Sequence, residues 1–197
     1  MLLGICVPVR DICHSNFAFC LSQLTANLVR NHVQYHLFFE NGSLIQNQRY
    51  QLVLDAQRAN CNQILWLDSD MVFPSNIYHT LSAHQKPVVA GTYSTRTQPY
   101  RNVAMDENYL PHTHCNELYK VHAVGMGIML TDIEVYNQIP HPWFKVSWDY
   151  ENDVFMGEDV YFSEQLQQYD YDIWIDPQLS NQCAHLSTMG IKTKDFQ

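Results

Sequence analysis

Short apolar runs alternate with amphipathic stretches along the first part of the chain, and this alternation predicts β-α units. Leu2–Val9 is an apolar run typical of a buried strand. Ser15 is a favourable N-cap for a following helix. That helix carries Phe19, Leu21, Leu24, Leu28 and Val29. The pattern continues with a strand over Val33–Phe39, a turn at Asn41-Gly42, a helix over Leu44–Ala59 and a strand over Ile64–Leu67.

The second part of the chain has shorter elements separated by a long polar stretch. We interpret Ser94–Lys120, which is rich in polar residues and contains proline and histidine, as a functional loop. Before this loop the pattern predicts a helix from Pro74 to about Ala83 and a strand over Pro87–Tyr93. After it, the pattern predicts strands over Ile128–Leu130 and Tyr171–Ile175, and helices from Asp132 and over Gly157–Tyr169. A final segment covers Gln182–Ser187.

Three consecutive β-α repeats with short buried strands predict a Rossmann-like α/β fold, with a mostly parallel central sheet flanked by helices. The 197 residues, 46% of them hydrophobic, are enough for one substantial core, so we expect a single domain. In sheets of this kind ligands bind outside the carboxyl ends of the strands. Arg10 and Asp68 both follow predicted strands and are expected at that edge.

Charge and hydropathy exclude several classes of partner. The formal net charge is -9, from 20 acidic and 11 basic residues, which argues against nucleic acid or an anionic membrane surface. An acidic protein still binds a small anion when a divalent cation lies between them. No apolar run approaches 18 residues, so no membrane anchor is predicted, and the first strand lacks the features of a signal peptide. Six cysteines without a CxxC pair favour reduced thiols in a cytoplasmic protein. Nothing in the pattern specifies an oligomeric state.

The triplet Asp68-Ser69-Asp70 is the strongest candidate for chemistry. Two carboxylates at positions i and i+2, at the end of a buried strand, are able to face one ion where the chain turns out of the sheet. The alternative is a solvated or helix-capping acidic pair. Asp170-Tyr171-Asp172 is a second such triplet, for which the solvated interpretation is favoured. The position after Ile64–Leu67 distinguishes the first triplet from the second.

With this motif the sequence resembles the GT-A glycosyltransferases, whose signature is an Asp-x-Asp closing a strand of a nucleotide-binding sheet. The resemblance covers most of the chain. It implies a donor half over residues 1–93 and an acceptor and catalytic half over residues 94–197. It is carried by Asp68-Ser69-Asp70, Pro8 and Arg10 on the first strand, Asn47 and Arg49 on the second helix, Gly125-Met126-Gly127, Gly157-Glu158-Asp159, and the late His185.

The resemblance implies a metal site and a donor site. Asp70 is expected to bind Mn²⁺ or Mg²⁺, with His185 as a further ligand, although His185 could equally be an ordinary histidine. Asp68 is expected to contact the metal, directly or through water, or the donor ribose. The remaining residues implied in the donor site are Pro8 and Arg10 for the nucleoside, Asn47, Arg49 for the diphosphate, Ser69, and Gly125-Met126-Gly127 for close backbone approach to the sugar.

For catalysis the resemblance implies Asp159 as the base that takes the acceptor proton, with Glu158 anchoring or binding the acceptor. An acidic pair at a helix start is also favoured simply by the helix dipole. If configuration is retained, the pair would position substrate instead. Trp143, Trp148, Tyr93 and Tyr150 are candidate aromatic faces for sugar stacking.

The function implied is transfer of a hexose, with inversion, from a UDP-sugar to an unidentified hydroxyl acceptor, either a glycan or another hydroxyl compound. Compact members of this type occur in bacteria and phages, which would place a phage-encoded enzyme in the host cytoplasm. Two alternatives stay open: a domain that binds a nucleotide sugar or glycan without turnover, and a haloacid-dehalogenase-type phosphotransferase. The latter expects its Asp-x-Asp on the first strand, whereas here the motif follows the third.

Overall fold

The computed structural model describes residues 1–96, 98–112, 115–150 and 153–186. Within these ranges the elements are β1 (Leu2–Val9), α1 (Ser15–Arg30), β2 (Gln34–Asn41), α2 (Ile45–Arg58), β3 (Gln63–Leu67), β4 (Met71–Val72), α3 (Ile77–Ser82), β5 (Val88–Ala90), β6 (Tyr119–Val121), β7 (Ile128–Asp132), α4 (Ile133–Gln138), β8 (Ser147–Asp149), β9 (Val154–Met156), α5 (Glu158–Gln168), β10 (Ile173–Ile175), α6 (Pro177–Ser180) and β11 (Ala184–His185).

A central sheet orders seven of these described strands as β2-β1-β3-β7-β5-β10-β6. β1 is parallel to β2 and β3, and β5 is parallel to β10, while β7 is antiparallel to β3 and β5, and β6 to β10. Five of these strands therefore run in one direction (β2, β1, β3, β5 and β10), and two run in the opposite direction (β7 and β6). The predicted Rossmann-like α/β fold with a mostly parallel sheet is confirmed. β7 reverses because it begins at the carboxyl edge, where Gly127 O accepts from Asp68 N at 3.0 Å.

Helices cover both faces of the sheet because successive strand residues point to opposite sides. Leu3, Ile5 and Val7 of β1 pack with α1 and α3 on one face. Cys6 of the same strand packs on the other face, with α2, α4 and α5. The result is a three-layer α/β/α arrangement whose carboxyl edge holds the residues described below.

The first helix differs from its prediction in two details. It begins at Ser15, and His14 occupies the N-cap position without a side-chain hydrogen bond. Its buried residues are Phe17, Cys20, Leu21, Leu24 and Leu28, whereas the side chains of Phe19 and Val29 are 65% and 62% exposed. The buried set follows the three- and four-residue spacing of a single helix face, which Phe19 and Val29 do not share.

Among the described residues, two pairs of short strands lie outside the central sheet, and neither was predicted. β4 pairs antiparallel with β11, which joins the chain after Asp70 to His185. β8 and β9 form an antiparallel pair directly before α5. The predicted final segment ends at Ser187, which lies outside the described residues. None of the helices in the described ranges has the length and hydropathy needed to cross a membrane.

Candidate active site

The motif carboxylates lie where predicted, immediately after β3 at the carboxyl edge of the sheet. Met71 N donates to Asp68 O at 3.1 Å, so the chain turns between these two residues before β4 begins. His14 N donates to the carbonyl of Ser69 at 3.2 Å, which ties the turn to the start of α1. The turn separates the two carboxylates, and each meets a different set of partners.

Asp70 lies beside His185 because β4 pairs with β11. Leu186 N donates to Asp70 O at 2.8 Å. His185 Nε2 is 3.5 Å from Asp70 Oδ2, and each side chain is 13% exposed. The two residues are far apart in the sequence, so this pairing brings together two of the three predicted metal ligands.

Hydrogen bonding fixes the tautomer of His185. Its Nδ1 lies 3.1 Å from the carbonyl oxygen of Ser94, which only accepts, so Nδ1 carries the proton. Nε2 therefore has a free lone pair and accepts from Arg96 Nε at 2.7 Å. A backbone carbonyl bound to one imidazole nitrogen is the arrangement that orients the other nitrogen as a metal ligand.

Arg96 completes this group from the loop after β5. Its Nη2 is 2.6 Å from Asp70 Oδ2. Asp70 Oδ1 is buried and has no hydrogen-bond partner among the described residues. Burial alone would raise the pKa of Asp70, but hydrogen bonds to the carboxylate and the charge of the Arg96 guanidinium outweigh it, so the pKa lies below its ordinary value.

These side chains fit a divalent cation. A carboxylate oxygen and an imidazole nitrogen are ligands that Mn²⁺ accepts, and a buried carboxylate oxygen without a protein partner is a position for an ion or an ordered water. Arg96 already provides a positive charge at this point. In the described part of the chain no three histidine, cysteine, aspartate or glutamate side chains are grouped around one point, because Asp68 is held elsewhere.

Arg49 holds Asp68 and Glu158 together. The arginine side chain on α2 is only 2% exposed, with Nη2 3.0 Å from Asp68 Oδ1 and Nε 3.0 Å from Glu158 Oε1. Its guanidinium lies 5.6 Å from the centre of the Trp66 ring. Burial raises the pKa of Asp68 although Arg49 opposes the shift. The arginine expected at the diphosphate thus lies beneath the carboxylates, where it neutralises them.

Asp159 lies on the first turn of α5. Its Oδ1 accepts from the backbone N–H of Val160 at 2.8 Å. Burial, followed by the charge of Glu158, raises the pKa of Asp159 to about 6, and Arg49 and Asp68 are near enough to shift it as well. Asp159 is therefore a carboxylate that gains and loses its proton close to neutral pH, as a general base requires.

The Tyr93 side chain lies so close to residues 125 and 127 that only glycine fits at these two positions. Gly127 N donates to Tyr93 Oη at 2.9 Å, and a Cβ on Gly127 or Gly125 would lie 2.5 or 2.7 Å from that oxygen. Neither glycine has a positive φ, so space rather than backbone conformation requires them. The Met126 side chain is buried in the core. The Tyr93 ring also meets His185 edge-on at 5.1 Å, which connects these glycines to the Asp70 group.

The residues expected at the nucleoside lie at the ends of β1 and β2. Pro8 is buried, while the Arg10 side chain is 84% exposed and pairs with Asp11 at 3.5 Å. Asn47 is exposed at the start of α2 and lines a cleft of about 320 Å³. Gln48, which the sequence did not single out, donates to the carbonyls ending both strands, those of Val9 and Glu40.

A second cleft begins at the Asp70 group. About 380 Å³ in volume, it is lined by Arg96, His185 and Tyr100 among others. An adjoining cleft of about 430 Å³ shares Tyr100 and extends to Asn102 and Tyr119. The loop predicted as functional supplies about half of the residues that line these two clefts, and the chain from Pro177 to His185 supplies most of the others.

No protein-family model matches the chain, and no curated protein is similar to it in sequence. Solved structures do match its fold. A197 from STIV has a TM-score of 0.64 at 14% identity, over 98% of this chain and 97% of that one. The catalytic domain of Drosophila β1,4-galactosyltransferase 7 with xylobiose has a TM-score of 0.56 at 18% identity, over 99% and 78%. A mutant of that enzyme with manganese, UDP-Gal and xylobiose has a TM-score of 0.54 at 17% identity, over 99% and 78%.

The chain therefore shares the fold of these galactosyltransferase structures. The aromatic residues predicted as candidates for sugar stacking differ in how far their side chains are exposed. Trp143 is 2% exposed and donates from Nε1 to Ile139 O, so it is a core residue. Trp148 and Tyr150 are 45% and 89% exposed. Phe155, 65% exposed, lies opposite Trp148 on the β8–β9 pair and four residues before Asp159.

The second acidic triplet lies on the surface, as the sequence favoured. Asp172 is 50% exposed and pairs with Lys120 at 2.8 Å. Asp170 ends the turn after α5 with a positive φ of 59°, a backbone conformation that aspartate tolerates better than most residues. The two triplets therefore differ in position: Asp68 and Asp70 follow a buried strand, whereas Asp170 and Asp172 lie between α5 and β10.

Proposed function

We propose that this protein is a metal-dependent glycosyltransferase that moves a hexose from a UDP-sugar to a hydroxyl acceptor. One juxtaposition carries the proposal: the Asp70–His185 pair and the Asp159 carboxylate flank the same Arg49–Asp68 centre at the carboxyl edge of the sheet. A site for a hard cation beside a carboxylate that titrates near neutral pH suits transfer of a group from a diphosphate. The glycosyltransferase fold adds support.

The cation would be held by Asp70 and His185. Asp70 Oδ1 supplies a buried carboxylate oxygen and His185 Nε2 an oriented lone pair. Bound Mn²⁺, or Mg²⁺, would supply positive charge that stabilises the departing diphosphate. Asp68 would contact the ribose or a metal-bound water, because its own charge is already largely met by Arg49.

The donor would lie along the edge between β1 and β7. Pro8 and Arg10 would bound the nucleoside, and the exposed Asn47 offers an amide at the neighbouring cleft. Ser69 and the backbone of Gly125 and Gly127 border the turn where the sugar would meet the metal site. Galactosyltransferase 7 was crystallised with manganese and UDP-Gal, which supports a donor of the same class here.

Asp159 would act as base. It would take the proton of the acceptor hydroxyl while the oxygen bonds to the anomeric carbon and the bond from that carbon to the diphosphate breaks, which inverts configuration. Glu158 is held by Arg49 Nε at 3.0 Å, so it is suited to orient the acceptor rather than to accept a proton. The exposed Trp148 and Phe155, paired on the β8–β9 strands that precede α5, would form an apolar face for an acceptor sugar ring.

The direct test measures UDP release from a panel of UDP-hexoses, with and without Mn²⁺, for the wild type, Asp70→Ala and Asp159→Asn. We expect metal-dependent release that falls at least 100-fold in both variants. Asp172→Asn is the matched control, because it removes a carboxylate from the surface triplet, and it should retain wild-type activity. Turnover that is unaffected by metal removal or by Asp70→Ala would overturn the function. Saturable UDP binding without product would favour a non-catalytic binding domain.

A further inference from the structure

Arg96 occupies an unusual position for an exposed loop residue. Its side chain is 55% exposed, yet Nη2 reaches Asp70 Oδ2 at 2.6 Å and Nε reaches His185 Nε2 at 2.7 Å. It contacts the two side chains assigned above to the cation, and it uses the imidazole lone pair that the cation would need. A guanidinium and a divalent cation cannot share that lone pair, and their like charges repel. Binding of the ion therefore requires Arg96 to leave.

The surroundings of Arg96 allow this movement. The loop that carries it is anchored at its base, where Thr95 N donates to Arg101 O and Arg101 N donates to the Thr95 hydroxyl. The arginine side chain projects from this base into the cleft of about 380 Å³ beside His185. The Arg96 side chain is half exposed, so water is able to solvate the guanidinium once it leaves, and the arriving cation replaces its charge beside the more buried Asp70.

We infer that Arg96 is an exchangeable cation: it neutralises Asp70 when no metal is bound, and after metal binding it moves to the diphosphate of the donor. The inference rests on the proposed function and adds a diphosphate-binding residue that the sequence did not single out. A guanidinium binds two phosphate oxygens at once with a matching fork geometry. The exchange also keeps the charge of the site balanced. The cation replaces the arginine beside the Asp70 carboxylate, and the arginine then pairs with the negative charge of the diphosphate.

Two binding titrations test this exchange without any need for turnover. Mn²⁺ is titrated calorimetrically into the wild type, Arg96→Gln and Arg101→Gln, each free of nucleotide. UDP is then titrated into the same proteins at saturating Mn²⁺. Arg101 is the matched control, because it lies on the same loop and its ordered contacts are made by its backbone. We expect Arg96→Gln to bind Mn²⁺ about tenfold more tightly and UDP about tenfold more weakly, with Arg101→Gln unchanged in both.

Several outcomes would overturn the exchange. Unchanged or weaker Mn²⁺ binding in Arg96→Gln would make the arginine a support of the site rather than a competitor. Unchanged UDP binding would remove its role at the diphosphate. UDP binding that needs Arg96 but no metal would make the arginine the permanent cation of the site, and Mn²⁺ binding to none of the proteins would remove the competitor altogether. If both titrations behave as expected but no acceptor is glycosylated, the exchange stands and the proposed catalytic function fails.

Discussion

Arg49 Nη2 lies 3.0 Å from Asp68 Oδ1, and only 2% of the arginine side chain is exposed. Its Nε holds Glu158 at the same distance. One side chain from α2 therefore fixes the carboxylate at the end of β3 against the start of α5. This contact links the turn proposed to bind the metal to the proposed catalytic helix, so the two halves of the proposed site share a single buried positive charge.

Removing that charge should destabilise the whole protein. Arg49→Met would leave Asp68 and Glu158 without their cation in a buried setting, which typically costs about 3–5 kcal/mol. We expect a fall of this size in the free energy of unfolding at pH 7, measured by urea denaturation.

Arg58→Met is the control on the same helix. Arg58 is 66% exposed and pairs with Asp55 three residues away, so its loss should change the free energy of unfolding by about 1 kcal/mol or less. Equal effects of the two substitutions would mean that burial of Arg49 is not what stabilises the carboxylate pair.

Activity should follow the ionisation of Asp159. Because its pKa is raised to about 6 and a base must be unprotonated, kcat/KM should rise with pH and level off above about pH 7. Asp159→Asn should lose this acidic limb together with about 100-fold or more of the rate. The pH profile of UDP release with saturating acceptor measures both. A wild-type profile that is flat from pH 5 to 8 would contradict the assignment.

The raised pKa of Asp159 also affects stability: ionisation of this carboxyl increases activity but destabilises the folded protein. A carboxyl whose folded pKa is about 6 against 3.8 unfolded binds its proton more tightly in the native state. It therefore lowers stability as pH rises from about 4 to about 6. Asp159→Asn removes this penalty while its side-chain oxygen still accepts from Val160 N. We expect the variant to exceed the wild type by up to about 3 kcal/mol at pH 7.5 and by much less at pH 4.5, in urea unfolding at each pH.

The sequence predicted those parts of the site that depend on local pattern. Asp68 and Asp70 follow a buried apolar strand, so their place at the edge of the sheet could be predicted from neighbouring residues. The local pattern predicted the helix that begins beside Asp159, but the catalytic role proposed for this residue came from the family resemblance. The β-α order gave the sheet and its carboxyl edge in the same way. His185 was placed by family resemblance, and its contact with Asp70 depends on pairing between two two-residue strands that have no pattern of their own.

Residues that act across long sequence separations were missed for the same reason. Arg96 lies in a polar loop where no periodicity marks any residue, and only the fold brings it to Asp70. Gln48 looks like an ordinary polar helix residue, yet it is buried and binds the ends of β1 and β2. The β8–β9 pair was missed because three-residue strands are too short to show alternation.

The contact between Tyr93 and the two glycines is testable by a double-mutant cycle. A methyl group at residue 125 would lie 2.7 Å from Tyr93 Oη but 3.3 Å from the next ring atom. Gly125→Ala should therefore cost about 1–3 kcal/mol in the wild type, and clearly less when combined with Tyr93→Phe, which removes the hydroxyl. Thermal or urea unfolding of the four proteins gives the coupling.

Gly127→Ala should behave differently in the same cycle, because its methyl group would also lie 2.8 Å from Tyr93 Cζ. Removing the hydroxyl leaves that clash in place, so Tyr93→Phe should rescue this substitution much less. Equal rescue of both glycine variants would show that the Tyr93 hydroxyl is not the atom that excludes a side chain at residue 125.

Two tryptophans should separate acceptor binding from core packing. Trp148 is 45% exposed on the strand pair that leads into Asp159, whereas Trp143 is 2% exposed and packs against Tyr136 with ring centres 5.6 Å apart. Trp148→Ala should raise the KM for a glycan acceptor about tenfold while leaving the KM for the UDP-sugar and the unfolding midpoint nearly unchanged, because in the proposed function this exposed face stacks on the acceptor and not on the donor. Trp143→Ala should instead lower the free energy of unfolding by about 3–5 kcal/mol through the cavity it leaves.

Steady-state kinetics against each substrate, with urea unfolding of both tryptophan variants, distinguishes these effects. A rise in donor KM in Trp148→Ala would place that face at the nucleotide sugar and move the acceptor to the cleft beside His185.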